Sequence, residues 1–381
     1  MKEIDNVDGF LAWLSKPKGE VAVRDVPLLD HSLKIKEASF ENCLFLGCEL
    51  EEEAAAHIIT TGGVVIPDSK KFRFPVHRAR LYHPKELFDG YDPAKINGYQ
   101  STFDYLVYDE YVDYGKHNPK RIDVSLYQRL HDHSITDALN EILKGRKVVG
   151  IMGGHGMERG SEAYRDTAII SKQLTQAGYL MVSGGGPGAM EATHLGAFFA
   201  TRSDEDLYEA LSILKERPDG AIPGKEYKDA DWLQRAWKVL ESYPIPEGDE
   251  AACLSVGIPT WFYGHEPPAP FATHIAKYFA NSIREDGLLM IANHGIVFVP
   301  GSAGTTQEIF QDAAQNHYGT SGHACPMILF GVQHWTVNRP LWSFLRQAAC
   351  GKKYGELLTL TDKVDDVVRA VKSYDPSKYK L

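Results

Sequence analysis

Three short apolar runs in this chain each end in a glycine-rich turn that opens at once into a helical pattern, at residues 148–160, 179–188 and 296–304. A strand that must stop, turn tightly and feed a helix, repeated along a chain, is the grammar of a doubly wound parallel sheet. The third of these stretches is the most explicit. Residues 296–299 are β-branched and aromatic, and Pro300 and Gly301 stop them abruptly. Thr305 and Glu308 then have the spacing of a capping box, and Ile309, Ala313 and Ala314 follow at helical intervals. Such a turn aims unpaired backbone N–H groups and the positive end of a helix dipole at one point, which suits a phosphate. The small residues Gly301, Ser302, Ala303 and Gly304 let an anion approach the backbone. The same order of residues also serves as a plain strand-to-helix connection, with Glu308 as an N-terminal cap.

Composition narrows the field. A chain of 381 residues is long enough for two domains. Its 43% hydrophobic and 24% charged residues are those of a globular protein. No apolar run approaches the roughly 20 residues of a membrane span, and the acidic first 20 residues do not read as a secretory signal, so no membrane partner and a cytoplasmic location are expected. Cys43, Cys48, Cys253, Cys325 and Cys350 form no CxxC pair, which argues against a disulfide framework and a zinc site. A net charge of −10 without a basic run disfavours binding to a nucleic acid polymer. It leaves room for small anions, because local N–H clusters override net charge.

Residues 1–145 have a different texture and read as an accessory α+β region, with strands expected at 44–46 and 64–66. A helix is expected over 126–143, with Ser134 as an N-cap and Asp137 three residues on. His131 and His133 flank Asp132, but two residues apart on a helix they point to different sides, so a metal site is not expected there. Residues 146–381 read as a Rossmann-like domain. Strands are expected at 148–152, 179–182, 253–258, 296–299, 326–330 and 357–360. Helices are expected at 162–177, 271–290, 341–349 and 363–373, with a polar, partly helical insertion at about 201–250. No repeat or low-complexity segment stands out.

In a parallel sheet the three turns gather at the carboxyl edge, where ligands of this architecture bind, so one site built from all three is expected. A dinucleotide fingerprint is missing: Gly154, Gly156 and Gly160 are spaced GxGxxxG, and the second strand ends in Ser183 and Gly184 rather than an acid. None of the turns carries the lysine of a Walker A loop.

The stretches VPGSAGTTQE and SGGGPGAME resemble the PGGxGTxxE and GGGxxGxM signatures of the LOG family of nucleotide phosphoribohydrolases. With GGHGMERGSEAYRDT and HEPPAPF in the same order, the chain is most similar to the branch of bacterial pyrimidine/purine nucleotide 5′-monophosphate nucleosidases. The resemblance covers about 147–372 and leaves the first 145 residues unexplained. It implies an N-glycosyl hydrolase that splits a nucleoside 5′-monophosphate into free base and ribose 5-phosphate. By the match to the final motif position, Glu308 is the carboxylate that stabilises positive charge on the ribose and activates water. The family also uses an arginine on the preceding helix, for which Arg284 is the candidate. A guanidinium does not readily give up a proton, so its implied role is to position Glu308 or the ribose and phosphate oxygens. Its other reading is a solvated helix-end arginine near Glu285 and Asp286. The turn residues Gly154, Gly185, Gly186, Gly188, Gly301, Ser302, Ala303, Gly304, Thr305 and Thr306 are expected to hold substrate.

His155 and Met190 are candidates for the base pocket, although a methionine opening an apolar helix is as well read as core. Glu266 is a candidate substrate contact or simply the start of its loop. Ser302 stands where the family usually has glycine: its hydroxyl adds a phosphate hydrogen bond, or its Cβ narrows the turn. No cofactor or metal is called for, and a homodimer or larger homo-oligomer is implied. Two other readings compete. One is a nucleotide-binding or sensing module that holds the ligand without cleaving it. The other, a pyridoxal phosphate decarboxylase, lacks the Ser-x-His-Lys stretch such an enzyme needs. Base preference is not written in any motif.

Overall fold

The computed structural model describes residues 1–95, 98–217 and 222–380. The chain divides into two compact units, Met1–Leu81 with Glu110–Ile142, and Tyr82–Asp109 with Leu143–Leu381.

The first unit carries four short strands, β1 (Lys2–Ile4), β2 (Val21–Arg24), β3 (Leu44–Leu46) and β4 (Val64–Ile66). They lie side by side in chain order and all run parallel, so strand and helix alternate here rather than segregate. The strands recur about every 20 residues, and this is a repeat that sequence inspection does not reveal. Val21, Val23, Val26 and Leu28 in one coil correspond to Cys43, Phe45, Cys48 and Leu50 in the next, the spacing of a leucine-rich type of coil. These side chains form one core cluster. Asp25 (φ 53°) and Gly47 (φ 66°) take the same left-handed turn at equivalent positions. Each passes its N–H to the next coil, Asp25 to Leu46 O at 2.9 Å and Gly47 to Ile66 O at 2.9 Å. The repeat is hidden because aspartate fills one copy of a position that glycine fills in the other.

The helix expected over 126–143 is present and runs unbroken over Ile122–Leu143. Ser134 is therefore not an N-cap. Its hydroxyl donates to the His131 carbonyl at 2.8 Å, the bond a serine makes inside a helix, and Asp137 pairs with Arg24. His131 is buried and His133 exposed, on different sides as expected. No group of three or more His, Cys, Asp or Glu able to hold a metal occurs among the described residues.

The second unit is built on a seven-stranded parallel sheet. Its strands are β5 (Val148–Met152), β6 (Leu180–Ser183), β7 (Ser255–Gly257), β8 (His274–Ile275), β9 (Ile296–Phe298), β10 (Met327–Phe330) and β11 (Leu358–Thr361). Their order is β11-β10-β9-β5-β6-β7-β8, the doubly wound arrangement expected from sequence. The inner strands read as continuous apolar runs because helices cover both faces. Val149, Ile151, Val297, Val299 and Ile328 pack against Ile170 and Leu174 of the helix Glu162–Gln176 and Val367 and Val371 of the helix Val364–Lys372. Each such fully buried side chain contributes about 1.5–3 kcal/mol of transfer free energy.

Two sequence expectations are corrected in this unit. The helix expected over 271–290 is confined to Asn281–Ile291, preceded by β8 and an extended run. Tertiary partners override the local pattern: Ile275 exchanges backbone bonds with Tyr82 at 2.7 and 3.1 Å, and buried Lys277 pairs with Asp104 at 2.9 Å. The same contacts explain why Tyr82–Asp109, read from sequence as part of the accessory region, groups with the sheet. Asp104 also accepts from the indole of Trp261 at 3.0 Å. The insertion carries helices Asp204–Leu214 and Trp232–Ser242, while residues 218–221 of it lie outside the described residues. No helix among the described residues is long and apolar enough to cross a membrane.

Candidate functional site

From β5 the chain winds outward through β6, β7 and β8, then returns to place β9 on the other side of β5 and winds outward again through β10 and β11. The reversal leaves a crevice at the carboxyl ends of β5 and β9, where connections diverge to opposite sides. Met152 and Phe298 are the last paired residues, and the first and third glycine turns start just beyond them.

Backbone bonds tie the turns together. Gly154 N–H donates to Pro300 O at 3.1 Å, and Ala189 N–H to Gly154 O at 3.1 Å. The second turn is fixed from its other side, with Ile258 N–H on Ser183 O and Ala269 N–H on Gly185 O. Below it, His194 bridges the hydroxyls of Ser183 and Ser255 at 2.8 and 3.0 Å, and full burial pushes its pKa down to about 3.

The crevice encloses about 230 Å³. Gly154, His155, Met190, Glu266, Arg284, Ser302, Gly304, Thr305 and Glu308 line it, together with Gly153, Tyr263, Glu285 and Gln307, which sequence reasoning missed. Among the other expected site residues, Gly185, Gly186, Gly188, Gly301, Ala303 and Thr306 are not in its wall. The glycines shape it from behind. Gly301 has no room for a side chain, since a Cβ would stand 2.1 Å from Thr305 Oγ1. At Gly186 a Cβ would stand 3.6 Å from Glu266 Oε2. Thr306 turns its hydroxyl back to Ser302 O at 3.0 Å.

The capping box expected from Thr305 and Glu308 does not form. The helix starts three residues earlier, at Ala303, with Ser302 in the capping position but making no side-chain cap bond. Glu308 consequently lies in the second turn, with its carboxyl in the crevice wall rather than folded back on the backbone. The first-turn N–H groups, at Ala303, Gly304 and Thr305, have no carbonyl within the helix to receive them.

Burial raises the Glu308 carboxyl from 4.5 to about 7, opposed by the Arg284 charge and assisted by that of Glu285. Arg284 Nη1 stands 3.9 Å from Glu308 Oε1, and both side chains are largely buried. The Arg284 Nε has no hydrogen-bond partner among the described residues, and its Nη2 lies against Gly184. Glu285 is held by Asn281 at 2.7 Å and Gln307 at 3.3 Å. Across the crevice, Glu266 lies 3.9 Å from His155 and 3.8 Å from His265. A near-neutral carboxyl, a buried cation with a donor to spare and a helix N-terminus thus share one small cavity.

No family model matches the chain, and no curated protein matches it. Among solved structures, the chain is similar to the molybdenum cofactor binding protein from the phototrophic bacterium Rippkaea orientalis, at 12% identity and a TM-score of 0.36 over 60% of this chain and 98% of that one. It is similar also to the molybdenum cofactor carrier protein from Chlamydomonas reinhardtii, at 16% identity and a TM-score of 0.36 over 60% of this chain and 96% of that one.

Proposed function

We propose that the chain is a LOG-type phosphoribohydrolase that cleaves the N-glycosidic bond of a nucleoside 5′-monophosphate. The observation that carries this reading is the Glu308 carboxyl, poised near pH 7 in the crevice, 3.9 Å from Arg284 and one turn along the helix from its first-turn N–H groups. The phosphate binds those N–H groups, which places the ribose beside Glu308. As the C1′–N bond breaks, its electron pair leaves with the base and positive charge builds on the ribose ring. The Glu308 carboxylate stabilises that charge and takes one proton from a water whose oxygen bonds C1′. The proton then passes to the departing base nitrogen. A pKa near the working pH suits a group that must accept and release a proton in one cycle. Arg284 orients the carboxylate and the ribose and phosphate oxygens. We place the protein in the cytoplasm as a homodimer or larger homo-oligomer, and a monomeric mass in solution would count against the latter.

The test is chromatography of the protein incubated with a panel of nucleoside monophosphates, beside Glu308→Ala. Free base from the native protein alone supports the proposal and identifies the substrate. Thermal stabilisation by a nucleotide without any base released makes the chain a binding or sensing module instead.

A further inference from the structure

The crevice beside Glu308 holds about 230 Å³, below the roughly 300–1,000 Å³ of most small-molecule sites. It has room for ribose and phosphate but not for a whole nucleotide. Next to it lies a second cavity of about 420 Å³ whose walls include Tyr99, Tyr105, Tyr108, Tyr227 and Trp232. Residues of the two walls meet at two places. His155 of the crevice meets the Tyr227 ring at 5.6 Å and 89°, and Glu266 of the crevice lies 3.8 Å from His265 of the second cavity.

We propose that this aromatic cleft receives the base of the nucleotide whose ribose and phosphate occupy the crevice. The inference rests on the phosphoribohydrolase reading and extends it to base recognition. The aromatic side chains of the cleft are fixed in advance for a flat ring. The Tyr99 hydroxyl is anchored by Asp104 at 2.7 Å, and Tyr105 packs edge-on against Tyr99 at 5.5 Å and Tyr108 at 6.0 Å. Trp232 is held under the Arg159 guanidinium at 4.4 Å, and that guanidinium is fixed in turn by buried Glu191 at 2.9 Å. Fixed aromatic faces bind a base without the entropy cost of ordering them first. Most of the lining comes from segment 82–109 and the 201–250 insertion, with His265 and Pro267 added from the connection between β7 and β8.

Calorimetry on the Glu308→Gln protein, which retains uncleaved ligand, compares AMP with ribose 5-phosphate. Tyr227→Ala is expected to weaken AMP about ten-fold, the scale of one base–aromatic stack, and to leave ribose 5-phosphate unchanged. Tyr227→Phe, which keeps the ring, should bind both like the parent. Equal weakening of both ligands, unchanged AMP affinity or no AMP binding at all would overturn the cleft. Free-base release by the native protein separates the two proposals. Release with AMP affinity untouched by Tyr227→Ala removes the cleft alone. Selective loss of AMP affinity without release keeps the cleft and removes the hydrolase.

Discussion

Glu308 concentrates the residue-scale physics. Its pKa in the folded chain lies above the unfolded value of 4.5, so the native state holds the extra proton between 4.5 and about 7. The stability this confers is complete below about 4.5 and is lost as pH rises through about 7. A rise from 4.5 to about 7 corresponds to on the order of 3 kcal/mol. Glu308→Gln removes the charge, so its melting temperature should exceed that of the native protein at pH 8 but not at pH 5, while turnover disappears. Equal melting temperatures at both values would show that the carboxyl is not desolvated. On the proposed hydrolase reading the carboxylate is the working form, so the acid limb of kcat/KM should lie near pH 7. Arg284 opposes the upward shift, so Arg284→Met should move that limb to higher pH and lower kcat/KM at pH 7 by about ten-fold or more. A limb that stays in place would detach Arg284 from Glu308. The identity of Glu308 is legible in the motif, but its near-neutral pKa is not, because burial is a property of neighbours distant in sequence.

At the scale of elements, the second glycine turn works through what it leaves out. Gly188 caps the helix Ala189–Phe198 with φ +69°, and a Cβ there would stand 2.5 Å from Gly154 O and 2.6 Å from His155 O. Gly188→Ala should therefore cost about 2 kcal/mol or more and lower the melting temperature by several degrees, with nucleotide affinity falling as the first turn is pushed out of place. An unchanged melting temperature would mean that the turn relaxes freely. Local signals placed most elements well: β5 spans the expected residues, and Ser161, accepting from Tyr164 N–H, starts the helix Glu162–Gln176. They failed where a long-range partner outbid a local pattern. Thr305 and Glu308 have capping-box spacing, yet the helix starts early, at Ala303, which carries Glu308 into the second turn. The run before Asn281 has helical spacing, yet Tyr82 offers it a strand partner.

For the sheet unit as a whole, the buried pair Asp104 and Lys277 ties two segments 173 residues apart, both side chains wholly inaccessible. Lys277→Met strands a buried carboxylate and should cost about 3–5 kcal/mol, whereas Lys277→Met with Asp104→Leu should recover much of that loss. Denaturant midpoints of the single and double variants measure it, and additive losses would deny the coupling. The amino-acid order alone determined the parallel α/β class and six of the seven strands of the sheet with their glycine turns. Those follow from apolar periodicity and glycine placement, both local quantities, while Glu308 and Arg284 were singled out by family resemblance. Tertiary structure decided the switch point between β5 and β9, the grouping of Tyr82–Asp109 with the sheet, the coil repeat of the first unit and the aromatic cleft. Each of these depends on which distant segments come together to bury apolar surface and satisfy polar groups, and neighbouring residues along the chain do not encode that choice.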